Sequence, residues 1–412
     1  MNVNKYIITR QEKIDLTKQI VTVLSILKYK KFMKGAINIE ILFKEPIYIT
    51  RPLLPNLQDV YSKLSEVWGS KWLTNNGPQQ INLEKALKDY LHVENLSLFN
   101  NGTSALLLGL KALDLTGEVI TTPFTFPATV QALDWNNLIP VFSDIDSRTL
   151  TLDAAKIESL ITEKTSAILG VHTFGNPCDV EQIQLIANKY NLKVIYDGAH
   201  SFGTNLNNKP IGYYGDMTMF SFHATKLFNT VEGGALTFSD ESLVEKLSLL
   251  KNFGIANPEE VVLSGLNAKL NEIQAVFGLE VLKLVENERK KRHEIKRAYE
   301  YYLKDVPGIN MLTKLEGEES SYQYFVIQID EELYGKSRDW LHEKLKESNV
   351  YTRKYFYPLC SDFEWYKHLE SARKVNLPIA QKAVKQVLAM PYYGELQIES
   401  VEKICKLIRD CI

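Results

Sequence analysis

The chain has 412 residues, 45% of them hydrophobic and 24% charged, with a formal net charge of −2 at pH 7. These values suit a soluble globular protein, long enough for two domains of roughly 100 to 200 residues, and give no reason to expect nucleic acid or an anionic membrane surface as partner. No stretch approaches the roughly 18 apolar residues that cross a bilayer. The apolar run Ile20 to Leu27 is short and lacks a cleavage site, and Cys178, Cys360, Cys405 and Cys411 form no metal-ligand spacing, so a reducing, cytoplasmic protein without a metal site is expected.

Residues 1–50 are rich in lysine and isoleucine and carry no motif; they read as an extension of unknown role, and Met33-Lys34 within it offers a second start. Residues 51–290 read as a large α/β domain, because short β-rich runs alternate with helical segments up to about residue 270. The predicted strands are Val119 to Thr121, Val141 to Ser143, Ala167 to Val171, Lys193 to Tyr196, Met217 to Phe222 and Ala235 to Phe238. Each is short and apolar on both faces, as buried parallel strands are. A long helix is expected over Asn271 to Asp305. Residues 291–412 then read as a smaller α/β domain with a strand at Tyr324 to Ile329. The chain ends in an amphipathic helix whose apolar face carries Val401, Ile404, Cys405, Ile408 and Ile412, which makes Cys405 a core residue.

Four features of the middle stretch bear on chemistry. Asn101-Gly102-Thr103-Ser104 opens a helix predicted over Ala105 to Leu113. Free N–H groups at such a start form a phosphate seat; the ordinary alternative is that Thr103 caps the helix. Phe126, after the strand that ends at Thr121, either stacks on a planar ligand or is core. Asp197 follows the strand Lys193 to Tyr196, at the end of a strand where α/β sheets bind ligands; the alternative is a turn-forming Asp beside Gly198. His200 is either a half-buried histidine or a hydrogen-bond partner for a cofactor. Finally, Ser221 ends a strand with a free hydroxyl, Lys226 lies in the loop beyond it, and Glu232-Gly233-Gly234 follows. Burial of a lysine lowers its pKa and favours the neutral amine needed for imine chemistry.

Together these segments resemble the DegT/StrS family of nucleotide-sugar aminotransferases from about Thr50 to the C-terminus. Asn-Gly-Thr-Ser-Ala-Leu, Thr-Phe-x-Ala-Thr, Asp-x-Ala-His and Ser-Phe-His-x-x-Lys all occur in the family's order. Within the family, Thr74 to Pro78, Gly175 to Val180, Asn267 to Glu272 and Tyr355 to Leu359 are most similar to the enzymes that make dTDP-4-amino-4,6-dideoxyglucose. The resemblance implies a fold type I transferase dependent on pyridoxal 5′-phosphate, with a mainly parallel sheet in a large domain and a small C-terminal α/β domain. It implies that Lys226 carries the cofactor as a Schiff base and moves the proton, that Asp197 pairs with the pyridine nitrogen, and that Phe126 stacks on the ring. His200 then lies by the ring hydroxyl, while Thr103, Ser104 and Ser221 hold the phosphate. Asn267 resembles a residue that reaches the phosphate from a neighbouring subunit, which implies a homodimer.

Two positions depart from many family members. Lys269 stands where they have arginine, and Cys360 stands where they have a histidine near the sugar; both departures lean toward the 4-amino subgroup. The sugar dehydratases of the family replace the Schiff-base lysine by histidine, so Lys226 speaks against deoxygenation. The implied reaction takes an amino group from L-glutamate to C4 of a dTDP-linked keto sugar. Amination at C3, a UDP or GDP sugar, and a non-catalytic nucleotide-sugar-binding regulator stay open as alternatives.

Overall fold

The computed structural model describes residues 42–412. The second start at Met33 and most of the N-terminal extension lie outside them. Seven strands form the main sheet: β1 Asn95–Phe99, β2 Glu118–Thr121, β3 Ile139–Phe142, β4 Thr165–Val171, β5 Lys193–Asp197, β6 Met217–Ser221 and β7 Gly234–Phe238. Their order across the sheet is β1-β7-β6-β5-β4-β2-β3. Every pairing among β2 to β6 is parallel, while β7 runs antiparallel to both of its neighbours, β1 and β6.

The expected sheet is therefore present, with one added strand and shifted strand ends, β4 for example starting at Thr165 rather than Ala167. Strand β1 was not expected; its five residues are held between α-helical neighbours and by long-range pairing with β7. Strand β3 starts two residues before its expected place and ends at Phe142. Strand β6 ends at Ser221, one residue early. Because β6 and β7 are adjacent and antiparallel, the chain must reverse between them. The connection that does so, residues 222–233, carries Lys226 at the end of the sheet where Thr121 and Asp197 also lie.

Adjacent residues are buried on both faces of the strands. Val119 and Ile120, Ala167 and Ile168, and Val194 and Ile195 have no exposed surface. Helices must then cover both sides. The helices α1 Leu57–Ser70, α2 Pro78–Leu91, α3 Gly102–Ala112 and α4 Pro127–Trp135 precede or interleave with the strands. Leu106 and Leu110 of α3 and Leu133 of α4 pack with Val119, Leu169 and Leu236 on one face; Ile183 and Ala187 of the helix Val180–Tyr190 pack with Ile120, Ile168 and Val194 on the other.

The single helix expected over Asn271 to Asp305 is two, α5 Glu272–Leu282 and α6 Val285–Leu303. The break needs no glycine or proline: the Leu284 N–H turns back to Val281 three residues earlier, at 2.9 Å, and tightens the chain out of the α-helical ladder. A second sheet of three antiparallel strands follows: β8 Ile309–Met311, β9 Phe325–Ile329 and β10 Val387–Met390. The terminal helix, α7 Ile398–Arg409, buries Val401, Ile404, Cys405 and Ile408 completely, whereas Ile412 lies beyond the helix end and is exposed. Ile47 joins this C-terminal core, pairing with Val350, and the Ile49 carbonyl accepts from Tyr392 N–H at 2.9 Å.

One buried carboxylate ties α5 to α2. Glu272, 1% exposed, accepts from the N–H groups of Gln79 (2.9 Å) and Gln80 (2.8 Å), which would otherwise lack partners at the start of α2. Gly77 caps that helix because any Cβ there would fall 2.4 Å from the Glu272 carboxyl carbon. Glu272→Ala leaves two buried donors unpaired and is expected to lower stability by about 2–4 kcal/mol, read from the midpoint of urea unfolding.

Candidate active site

The site is assembled where α3 starts beside the end of β6. Asn101, not Thr103, caps α3: its side chain accepts from Ser104 N–H at 2.7 Å and its carbonyl from Ala105 N–H at 3.1 Å. The amides of Gly102 and Thr103, in the first turn, are left without intrahelical partners. A Cβ on Gly102 would lie 2.9 Å from Ser221 Cβ, so the glycine allows the helix start to touch the strand end. Gly234 serves the same approach, since its Cβ would meet the Gly102 nitrogen at 2.6 Å. An exposed dipole end, two free amides and the Ser221 hydroxyl therefore face one place.

Asp197 is the last residue of β5 and is 5% exposed. Thr129 Oγ1 donates to its Oδ2 at 2.7 Å and the Ala199 N–H to its Oδ1 at 3.0 Å. Burial pushes its pKa up, against the pull of these hydrogen bonds and of the Lys226 charge, and the net shift is upward. His200 is buried; its Nδ1 accepts from Phe174 N–H at 3.2 Å, which leaves the proton on Nε2 in the neutral ring. Phe174 and Phe356 lie parallel to it at 6.3 and 5.9 Å, and burial holds its pKa well below the usual histidine range.

Burial pushes the Lys226 amine down to about 8; the Arg353 guanidinium adds to this, and Asp197 opposes it. At neutral pH such a lysine keeps a usable neutral fraction, which an ordinary surface lysine does not.

A cavity of about 260 Å³ brings together Thr103, Phe126, Asp197, His200, Ser221 and Lys226. Phe126 is not core: it is 50% exposed, held at the mouth as the residue before Pro127, which starts α4. Ser104 and Asn267 are not on the lining. Ser104 N–H is taken by the Asn101 side chain, and Asn267 is exposed, its carbonyl 3.4 Å from Asn100 Nδ2. Three lining residues escaped the sequence reading of the site: Tyr324, Arg353 and Tyr355. Arg353 lies over the Tyr355 ring at 4.7 Å, and Tyr324 places its ring 5.9 Å from Lys226 Nζ. Only Tyr355 carried a signal, in the Tyr-Phe-Tyr-Pro-Leu segment.

This fold and cavity are those of a pyridoxal-phosphate aminotransferase. The DegT/DnrJ/EryC1/StrS aminotransferase family model matches residues 57–409, and the chain belongs to that family. It is 46% identical over 88% of its length to a dTDP-4-amino-4,6-dideoxy-D-glucose transaminase of Escherichia coli, covering 98% of that protein. A transaminase of the same name from Shigella dysenteriae is 41% identical over 89% of this chain and 99% of its own. The solved structure of DesI in the presence of its TDP-sugar product superposes with a TM-score of 0.86 at 34% identity, covering 90% of this chain and 94% of that one. The protein is a sugar aminotransferase.

Its cofactor is pyridoxal 5′-phosphate, and the donor set fits that group on three counts. A helix start with free amides and a hydroxyl suits a phosphate. A buried carboxylate whose pKa is raised suits a cationic ring nitrogen, and a lysine with a lowered pKa suits an aldehyde. Among the described residues no cluster of histidine, cysteine and acidic side chains suits a metal, and no helix is long and apolar enough to cross a membrane.

Proposed function

We propose that the chain transfers the amino group of L-glutamate to C4 of dTDP-4-keto-6-deoxyglucose, giving dTDP-4-amino-4,6-dideoxyglucose and 2-oxoglutarate. The observation that carries the choice of sugar is the near full-length similarity to two transaminases named for that amino sugar. The place of the reaction is the biosynthesis of a surface polysaccharide such as an O-antigen, in the cytoplasm, where nucleotide sugars and glutamate are at hand.

When bound, pyridoxal 5′-phosphate supplies an aldehyde that takes up amines and a ring that accepts the electron pair of a broken C–H bond. The rest falls to the chain. Lys226 Nζ would hold the cofactor at its aldehyde and, with glutamate in place, would take the proton from the amino-acid α-carbon. In the second half-reaction it returns a proton to the sugar carbon that receives nitrogen. Its pKa of about 8 suits a group that must both accept and give a proton near neutrality. Asp197 would keep the ring nitrogen protonated, and Thr129 holds that carboxylate in place. Phe126, at the cavity mouth, would cover the ring face and keep water from it, and His200, with Nδ1 occupied, would have its Nε2–H free for the ring hydroxyl. The amides of Gly102 and Thr103, with the hydroxyls of Thr103 and Ser221, would take the phosphate.

Asn267 serves the phosphate of a second copy, so the active unit is a homodimer. The exposed apolar residues Phe253, Val262 and Leu266, in the segment that pairs back beside Asn267, support a second copy covering this region.

The reading is tested by visible absorption in two steps. Glutamate is expected to bleach the yellow protein, and dTDP-4-keto-6-deoxyglucose to restore the colour. Restoration by the 3-keto isomer alone moves the function to C3 amination. A protein that glutamate does not bleach uses another amino donor.

A further inference from the structure

The segment Ser321 to Tyr324 leads into β9 from the C-terminal sheet and crosses to the cavity, where it makes contacts the reaction above does not use. Gln323 is 3% exposed. Its Oε1 accepts the Leu227 N–H at 2.5 Å, and its Nε2 donates to the Thr225 carbonyl at 3.1 Å. These two peptide groups stand on either side of Lys226. The N–H of Lys226 itself donates to the His223 carbonyl at 2.9 Å. Two residues upstream, Ser321 Oγ donates to the His200 carbonyl at 2.9 Å and accepts Gln323 N–H at 3.3 Å.

We propose that Gln323 is a positioning residue for Lys226, holding the backbone on both sides of it so that Nζ keeps one direction into the cavity. This rests on the reading of Lys226 given above. The chemistry selects an amide. Phe222 and Gly233 still pair across the connection, but strand pairing does not extend to Thr225 and Leu227, which need a donor and an acceptor from elsewhere. A primary amide carries both on one planar group, as a neighbouring strand's peptide would. The lysine side chain has four rotatable bonds, so a small turn about its Cα swings Nζ widely. A displacement of about 1 Å at a reacting group can cost about a hundredfold in rate. The same clamp carries Tyr324 to its place over Nζ, and Ser321 ties it to the His200 loop. The C-terminal sheet thereby orients the lysine without touching the reacting atoms.

The test uses full-length Gln323→Met, which keeps the side-chain length but lacks the planar donor and acceptor. Turnover is expected to fall about tenfold to a hundredfold while KM for both substrates stays within about threefold. The second readout is the pH profile of Lys226 acetylation by trace acetic anhydride on protein freed of cofactor, followed by peptide mass spectrometry. Its midpoint is expected to rise from about 8 toward the ordinary lysine value as the loosened amine gains water. Asp197 and Arg353, the charged groups that act on the amine, are unchanged in this variant. Turnover within about twofold of wild type, or lost turnover with an unmoved profile, overturns the proposal, since a general loss of stability does not retune one amine. If Gln323→Met does not fold, Gln323→Glu keeps the volume and the bond from Leu227 but loses the donor to Thr225. It is then expected to lower kcat with KM retained, and an unchanged kcat overturns the proposal. Lys226→Ala, run alongside, separates the two failures. Turnover retained by it removes the reading of the lysine; an inactive Lys226→Ala beside a normal Gln323→Met removes only the clamp.

Discussion

Lys226→Ala is expected to fold, to bind pyridoxal 5′-phosphate without the usual lysine-linked absorption band, and to lose transamination by on the order of 10⁴-fold, the upper range for a positioned acid–base group. The loss is large because one amine both tethers the cofactor and carries the proton in each half-reaction. His200 on the same lining is a poor substitute: its Nδ1 is occupied by the Phe174 N–H, and burial keeps the ring neutral. Stability provides an independent check. The Lys226 pKa is depressed from 10.5 to about 8, so between these values the unfolded chain binds more protons than the fold does. Cofactor-free wild type is therefore expected to gain stability as pH rises from about 8 toward 10.5, a slope that Lys226→Ala should lack. Single-turnover absorbance with glutamate and pH-dependent unfolding read the two effects, and near wild-type turnover in the variant rules out the proposed role.

The parts of this site that sequence made legible are those built within one βα unit. Asp197 follows a run of buried strand residues and precedes Gly198, so its place at a strand end was visible. The small residues around Gly102 announced a helix start, although the cap proved to be Asn101, one residue before the segment's glycine. Lys226 gained its meaning from the ordered partners upstream rather than from its own surroundings. What was not legible arrives from far along the chain. Gln323 reaches Thr225 across 98 residues, and Tyr324, Arg353 and Tyr355 enter because the second sheet docks against the first. No local periodicity encodes that docking. The same reason hid β1, five residues whose strand character depends on pairing with β7. The break between α5 and α6 has no glycine or proline to mark it and comes from packing on two different cores: Val281 belongs with the large sheet's helices, whereas Ile295 and Tyr299 belong with the C-terminal core.

Asp197→Asn is expected to preserve the fold and to slow turnover by about 10²- to 10³-fold, close to 3–4 kcal/mol, as loss of one preorganised charge does at other sites. The substitution keeps the shape. Thr129 Oγ1 can still donate to the amide oxygen, while the Ala199 N–H, then facing the amide nitrogen, gives up one hydrogen bond. What disappears is the negative charge that keeps the ring nitrogen protonated, and with it the ring's capacity to hold an electron pair. The direction of the stability change separates this from damage. Burial raises the Asp197 pKa above its ordinary 3.8, so between 3.8 and the raised value the fold binds more protons than the unfolded chain, and stability falls as pH rises through that window. Above that window the cofactor-free wild type holds an ionised group that the fold disfavours, and Asn removes it. The variant should be at least as stable as wild type without cofactor, yet gain less on adding pyridoxal 5′-phosphate, because the buried charge no longer finds its cation. Thermal unfolding with and without cofactor, beside stopped-flow bleaching by glutamate, measures both. A rate within about threefold of wild type, well under 1 kcal/mol, shows that Asp197 is not the group that holds the ring proton.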